Sequence, residues 1–344
     1  MMEKGFKVVR VDKEGAASDP MEEERAELAK VGAELVAFDC ATEDDIIEAA
    51  RDADALITVK SPITRRILEA LPKCKVIVRY GVGFDTVDVD AATDNGILVV
   101  NLPDFCLEEV SNHAITMLLA CAKKLVFLNN KTKEGQWLKP KQGRWEKGSL
   151  GGVGPICGQT LGIIGCGNIG RITARKAQCF GLKILGYDPY LDKSVAERDG
   201  ITLVNLPELL KESDYISIHT PLNKDTRHLI GEKELKQMRP TAYLINTSRG
   251  PVVDEAALIK ALQEKWIAGA GLDVFEKEPV DPDNPLLQMD NVIVTAHSGG
   301  YSDAAFIRQG TSVAQEAARV ISGRWPKNAV NKAVKPKVNL AKGD

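Results

Sequence analysis

Only four histidines, His113, His219, His228 and His297, are available to move a proton near neutral pH, so the search for an acid–base group is short. His113 lies among Ala, Ile and Met residues in a stretch with helical periodicity, which predicts a packing role. His219 precedes Thr220-Pro221 at a strand end, where its neighbours read as a cofactor loop, and His228 falls in the polar connection Thr226-Arg-His-Leu-Ile. His297 follows the apolar run Val292-Ile-Val-Thr-Ala and precedes Ser298-Gly299-Gly300. That places it just past the carboxyl end of a strand, where open α/β sheets bind ligands. Two further strands end in residues suited to the same chemistry. Arg249 follows Tyr243-Leu-Ile-Asn246 on a glycine-flanked turn, and Asp273 and Glu278 follow the strand closing at Leu272. A guanidinium can hold a carboxylate and polarise a carbonyl, a carboxylate can pair with an imidazole, and the imidazole can transfer the proton. The same three side chains could instead form a surface ion-pair network.

A redox partner for such a site is indicated by Gly162-Ile-Ile-Gly-Cys-Gly-Asn-Ile-Gly170. Leu161–Ile164 is a short β-branched run of the kind a buried parallel strand requires. Gly165 would make the tight turn, Gly167 would let the backbone approach a pyrophosphate, and Gly170 would allow close contact of helix and strand. The amides of Asn168 and Ile169 would face that anion from a helix N-terminus. Asp188 ends the next strand, Lys183-Ile-Leu-Gly-Tyr, where a carboxylate accepts hydrogen bonds from ribose hydroxyls and repels the extra phosphate of NADP. A glycine triplet alone often marks an ordinary turn; flanked by strand, helix and acid it predicts an NAD site. Cys166 inside the turn is either filler or a thiol activated at the helix N-terminus.

Two successive series of alternating strands and helices must position these residues, which predicts an α/β protein with two doubly wound parallel sheets. The first series has strands at Lys7–Val11, Leu35–Phe38, Ala55–Val59, Val76–Val78 and Ile97–Val100, with helices such as Asp44–Ala53 and Thr64–Leu71 between them. A connecting helix over Glu108–Leu125 and a polar loop or short helix over Asn129–Gly158 lead to the second series. Its strands are Leu161–Ile164, Lys183–Tyr187, Tyr215–Ile218, Ala242–Ile245, Ala268–Leu272 and Val292–Thr295. A last helix, Ala304–Ile321, ends at the C-cap glycine Gly323, and the polar stretch Lys335–Asp344 reads as frayed.

Composition narrows the partner. The 344 residues are 44% hydrophobic and 27% charged, enough for two globular domains, and the net charge of −3 is spread without a long basic block. No nucleic-acid or membrane surface is indicated, so a small molecule is the expected partner. Seven scattered cysteines without a Cys-x-x-Cys pair, and an N-terminus lacking an apolar signal segment, predict reduced thiols and a cytoplasmic location. No metal site is expected.

The motifs together resemble the D-isomer-specific 2-hydroxyacid dehydrogenases, a family that includes phosphoglycerate dehydrogenase and the C-terminal-binding-protein corepressors. The resemblance rests on Val78-Arg-Tyr-Gly-Val-Gly-Phe-Asp-Thr-Val-Asp88, Asn101-Leu-Pro103 with Glu109-Val-Ser-Asn-His113, the glycine fingerprint and His219-Thr-Pro-Leu222. It continues through Asn246-Thr-Ser-Arg-Gly250, Asp273-Val-Phe-Glu-Lys-Glu-Pro279, Thr295-Ala-His-Ser-Gly-Gly300 and Asn328-Ala-Val-Asn331. Each motif alone is weak; eight in the right order are specific. The resemblance implies that Arg249, Glu278 and His297 are catalytic. It implies cofactor contacts from Asp188, Asn168, Ile169 and Thr220, from Thr247, Ser248 and Asp273 towards the nicotinamide, and from Gly299 and Gly300. Lys60, Ser61, Arg79, Tyr80, Gly81 and Val82 match the family's substrate-facing loops. It further implies a discontinuous substrate domain (residues 1–106 and 303–344), an NAD-binding domain (residues 107–302), an active-site cleft between them and a homodimer formed through the NAD-binding domain. The reaction implied is reversible hydride transfer between NADH and a small 2-oxoacid of phosphoglycerate, hydroxypyruvate or glyoxylate type.

Departures from the family pattern bear on the substrate. Lys60 stands where phosphoglycerate enzymes usually carry Arg, and an ammonium cannot grip carboxylate or phosphate in a fixed fork. Lys60 and Arg79 could also be solvated surface cations. Ala296 replaces a Pro that many relatives carry before the catalytic His. Pro103-Asp-Phe-Cys-Leu-Glu-Glu-Val and Tyr301-Ser302 look closer to the corepressor branch, which leaves an NAD(H)-sensing binding protein as the alternative. The Trp that corepressors carry in the pocket is absent, however, and Gly300 stands there.

Overall fold

The computed structural model describes residues 5–12, 15–16, 19–135 and 153–341. It divides into two compact units, Met1–Cys106 with Ser302–Asp344, and Leu107–Tyr301.

The first unit is a five-stranded parallel sheet of β1 (Phe6–Asp12), β2 (Ala33–Asp39), β3 (Ala55–Thr58), β4 (Val76–Arg79) and β5 (Leu98–Val100), in the order β2-β1-β3-β4-β5. Both faces are covered. Ala55 and Ile57, Val76 and Val78, Leu98 and Val100 point into one apolar cluster, while Leu56, Ile77 and Val99 point into the other. This period-two division explains the continuous apolar runs, because a strand buried on both sides has no polar face to show. The helices are α1 (Glu22–Ala29), α2 (Glu43–Ala50), α3 (Arg65–Glu69), α4 (Val89–Asp94) and the final helix α12 (Asp303–Ile321), which packs on α1. The α2 start is fixed by Thr42, whose hydroxyl accepts from the Asp45 amide at 3.2 Å.

In the second unit, α5 (Leu107–Ala122) and α6 (Leu125–Lys133) precede β6 (Thr160–Ile164), α7 (Asn168–Cys179), β7 (Lys183–Tyr187), α8 (Lys193–Arg198), β8 (Thr202–Leu203), α9 (Leu206–Glu212) and β9 (Tyr215–Ile218). The chain continues through α10 (Glu232–Leu235), β10 (Tyr243–Asn246), α11 (Glu255–Gln263), β11 (Gly269–Leu272) and β12 (Val292–Val294). The sheet order is β12-β11-β10-β9-β6-β7-β8, all parallel, so the winding reverses between β6 and β9. A reversal of this kind opens a crevice at the carboxyl ends of the strands.

Two local expectations are corrected. The helix expected over Glu108–Leu125 breaks at Lys124, which adopts a left-handed conformation (φ 50°), so Leu125 begins α6 and is 60% exposed rather than buried. The tail from Lys335 is tied down as far as Ala341: Lys337 Nζ donates to the Leu71 carbonyl at 3.2 Å, and Ala341 exchanges backbone hydrogen bonds with Gly323 and Trp325. Of the segment Asn129–Gly158, expected as a loop or short helix, Asn129–Lys133 is helical, and residues 136–152 lie outside the described residues.

Candidate active site

The loop from β6 to α7 is shaped by what its glycines exclude. Gly165 has φ +89°, and a Cβ there would lie 2.7 Å from the Thr220 amide nitrogen, so the β9 exit loop can sit directly against it. Gly170 lies against the Gly165 carbonyl, which closes the turn onto α7. A Cβ at Gly167 would meet nothing within 4 Å, and this residue caps α7 without a side-chain hydrogen bond. The open space lies over a helix N-terminus, where an anion is favoured. At the end of β7, Asp188 is anchored through both oxygens: Oδ2 accepts from the Cys166 amide and Oδ1 from the Tyr190 amide, each at 2.9 Å. Its remaining lone pairs are positioned beside the glycine turn. Cys166 itself is buried, and burial first, then the Asp188 charge, pushes its thiol up to about 12. It is filler, not a nucleophile.

Asn246 organises the β10 exit. Its side chain, 1% exposed, accepts from the Ser248 amide and hydroxyl and donates to the Arg249 carbonyl at 2.9 Å. Thr247 is buried, and its hydroxyl has no hydrogen-bond partner among the described residues. Gly250 lies so close to the Phe275 carbonyl that any side chain would overlap it, which brings the β10 and β11 exit loops together. This contact sets Arg249 near Glu278.

Glu278 Oε1 accepts from the Phe275 amide at 3.1 Å, and Oε2 pairs with His297 Nδ1 at 2.7 Å. Burial raises the Glu278 pKa, but the hydrogen bond and charge of His297, the Phe275 amide and the Arg249 charge outweigh it, holding the carboxyl below its ordinary 4.5. The His297 imidazole is partly exposed, and its Nε2 makes no hydrogen bond among the described residues. His297 also holds φ +52°, a conformation an L-residue keeps only when its surroundings impose it. Asp273 imposes it. This side chain, 1% exposed, accepts from the Thr295 hydroxyl, from the Ser298 amide at 2.9 Å and from the Gly299 amide at 2.8 Å, while its carbonyl takes the His297 amide at 2.7 Å. Tyr301 N donates to Ser298 O, closing a turn that contains Gly300.

The other histidines separate cleanly. His219 bonds Ser217 Oγ at 2.9 Å, and burial pushes its pKa down to about 4, so it stays neutral at pH 7. His228 pairs with Glu276. His113, expected to be packing, instead bonds Thr295 Oγ1 at 2.9 Å beside Asp273. Among the described residues no group of three or more His, Cys, Asp or Glu side chains is arranged to hold a metal ion.

The first unit gathers its own polar loops at the carboxyl ends of β3 and β4. Asp12, at the end of β1, accepts from three successive amides, Val59 at 3.1 Å, Lys60 at 2.8 Å and Ser61 at 3.3 Å. These bonds fix the backbone that carries the exposed Lys60 side chain, at the point where this sheet's winding reverses. The Arg79 guanidinium lies over Gly81, whose missing side chain makes room for it, and bonds the Tyr80 carbonyl. Tyr80 is in the core with its hydroxyl donating to Glu24, so only its backbone could meet a ligand. Val82 O accepts from Asn101 Nδ2 at 2.6 Å. Asp12 and Asn246 were not singled out from the sequence, although each is an Asp or Asn at the last position of a strand, where such side chains hold the loop that follows.

Comparison with known proteins gives the chain's family. Residues 115–299 match the model of the D-isomer specific 2-hydroxyacid dehydrogenase NAD binding domain. The chain is 42% identical over 290 residues to the glyoxylate reductase of Korarchaeum cryptofilum, covering 84% of this chain and 86% of that one. It is 38% identical over 327 residues to the D-3-phosphoglycerate dehydrogenase of Methanocaldococcus jannaschii, covering 94% of this chain but 60% of that longer protein. Among solved structures, a glyoxylate reductase from Paecilomyes thermophila superimposes with a TM-score of 0.84 at 27% identity, covering 96% of this chain and all of that one.

Proposed function

This chain belongs to the D-isomer-specific 2-hydroxyacid dehydrogenases, NAD-dependent oxidoreductases of the CH–OH group of 2-hydroxy acids, and we propose that it reduces a small 2-oxoacid of glyoxylate or hydroxypyruvate type. The observation that carries the reading is the His297 Nδ1–Glu278 pair at 2.7 Å with Arg249 beside it, all on adjoining strand-exit loops. In this reading Arg249 holds the substrate carboxylate and places fixed positive charge where the carbonyl oxygen gains negative charge. Removing one such donor typically costs about 3 kcal/mol of transition-state stabilisation. His297 Nε2 gives its proton to that oxygen, and in the reverse direction takes it back. Glu278 orients the ring through Nδ1 and supports its positive charge.

The second unit fits NAD. The open space at Gly167, the anchored Asp188 carboxylate and the unpartnered Thr247 hydroxyl are three separate polar or vacant features that a dinucleotide would complete. Asn168 and Ile169 would take the pyrophosphate, Asp188 the adenosine ribose, Thr220 the adenosine side, and Thr247, Ser248, Asp273, Gly299 and Gly300 the nicotinamide side. Bound NADH supplies the hydride. Lys60, Ser61, Arg79, Gly81 and Val82, with the Tyr80 backbone, are the substrate-binding residues of the first unit in this reading. Lys60 in place of a forked guanidinium favours a small unphosphorylated acid over phosphoglycerate.

We further read the protein as a cytoplasmic homodimer joined through its NAD-binding unit. Leu125 and Val126, 60% and 38% exposed on α6, give that unit apolar surface. No helix among the described residues is long and apolar enough to cross a membrane.

A panel of 2-oxoacids assayed with NADH and with NADPH tests the reading. Turnover of glyoxylate or hydroxypyruvate with NADH preferred is expected. NADH binding without turnover of any acid would favour a sensing role, and a preference for NADPH would overturn the role given to Asp188.

A further inference from the structure

The geometry points to His113 as a positioning residue for the His297 loop, acting through Thr295 and Asp273. The inference rests on the proposed proton-transfer role of His297 but concerns a residue of α5, far away in the chain, to which that reading gives no part. The imidazole stands in a directed chain. Thr295 has a single hydroxyl proton, and the Asp273 carboxylate, an acceptor only, receives it. The Thr295 oxygen must then accept from His113 Nε2, 2.9 Å away, so Nε2 carries a hydrogen. The same nitrogen lies 3.5 Å from Asp273 Oδ1. The ring also packs on the loop directly. A Cβ added at Gly299 would come within 3.3 Å of His113 Cδ2 and 2.8 Å of Asp273 Oδ2, so Gly299 is the residue that lets ring and carboxylate close on the backbone together.

This arrangement gives α5 a specific task. Asp273 holds Ser298 and Gly299 on one side of His297, and His113 holds Thr295 on the other. Between these two grips the chain passes through the φ +52° conformation of His297. Without the ring, the Thr295 oxygen loses its donor and Gly299 loses the wall it packs on. The Asp273 clamp then has to hold the strained residue alone.

Four variants test this: His113→Ala, His113→Gln, Thr295→Val and the double variant His113→Ala/Thr295→Val. Each is followed by amide hydrogen exchange at Ser298 and Gly299, kcat and KM for glyoxylate with NADH, the NADH Kd, and Tm. His113→Ala is expected to speed exchange at Ser298 and Gly299 by about tenfold and to lower kcat by a similar factor, the usual scale of one net hydrogen bond. His113→Gln, whose amide can still donate to Thr295, is expected to restore both readouts. The double variant is expected to lose less than the sum of the two single losses, because both substitutions remove the His113–Thr295 bond. Unchanged protection in His113→Ala, absence of rescue by Gln, or additive losses would each overturn the proposal. The exchange measurement needs no substrate, so it still decides the matter should no acid be turned over. If His297→Asn retains full turnover, the proton-transfer reading fails by itself, whatever the exchange rates show.

Discussion

Replacing Asp273 by Asn changes almost nothing in shape and reverses one hydrogen-bonding atom at the centre of the clamp. The carboxylate accepts from Thr295 Oγ1 and the Ser298 amide at Oδ1 and from the Gly299 amide at Oδ2, with a longer bond of 3.5 Å from Ser298 Oγ to Oδ1. Asn can keep its oxygen at only one of these positions. The milder orientation leaves Thr295 and Ser298 satisfied and turns the NH2 against the Gly299 N–H. One buried amide then goes unpaired, at about 1–3 kcal/mol, and the two remaining bonds lose the assistance of the charge. The left-handed His297 conformation costs of order 1–3 kcal/mol on its own, so a clamp weakened by about 2 kcal/mol no longer outweighs that strain. At about 1.4 kcal/mol per factor of ten, the positioned loop becomes roughly 30-fold rarer, and kcat for glyoxylate reduction should fall by a similar factor. Steady-state NADH oxidation measures this, with a thermal melt to show that the fold survives. A variant that melts normally and keeps kcat within about a factor of two would refute the claim that this clamp positions His297.

Three other substitutions probe separate parts of the account. Gly165→Ala places a Cβ 2.7 Å from the Thr220 backbone at φ +89°, so NADH affinity should drop by at least about tenfold, read by fluorescence titration, with a lower Tm. Asp12→Asn opposes an NH2 to the amides of the Lys60 loop; KM for the 2-oxoacid should rise while NADH Kd, set by residues of the other unit, stays constant. The folded-state pKa of Glu278 is depressed below 4.5, so its contribution to stability is present above that pH and is lost as pH falls through the folded value. The difference in urea midpoint between wild type and Glu278→Gln should therefore be clear at pH 7 and shrink as pH falls below 4.5; a gap that does not shrink on acidification would contradict the assignment.

The parts of the fold that were legible in the sequence have local causes. The β6–α7–β7 unit declares itself because Gly165 and Gly170 meet steric limits within one turn, and Asp188 must end the following strand to reach it. The Arg249, Glu278 and His297 set is readable because each lies within six residues of the end of an apolar strand. What was not legible depends on partners distant in the chain. His113 looks like packing within its own helix, and its hydrogen-bond partner lies 182 residues away. The tail at Lys337 looks frayed because its acceptor, the Leu71 carbonyl, is 266 residues back. At Lys124 the apolar periodicity runs on through the break, so only the backbone conformation reveals that Leu125 turns outward.

The central claim is that His297, held by Glu278, moves the proton in an NADH-dependent reduction. The most direct test is the turnover of glyoxylate by His297→Asn at saturating NADH. Loss of a general acid predicts a kcat lower by about two to four orders of magnitude with NADH affinity unchanged. Undiminished kcat in that variant would contradict the account.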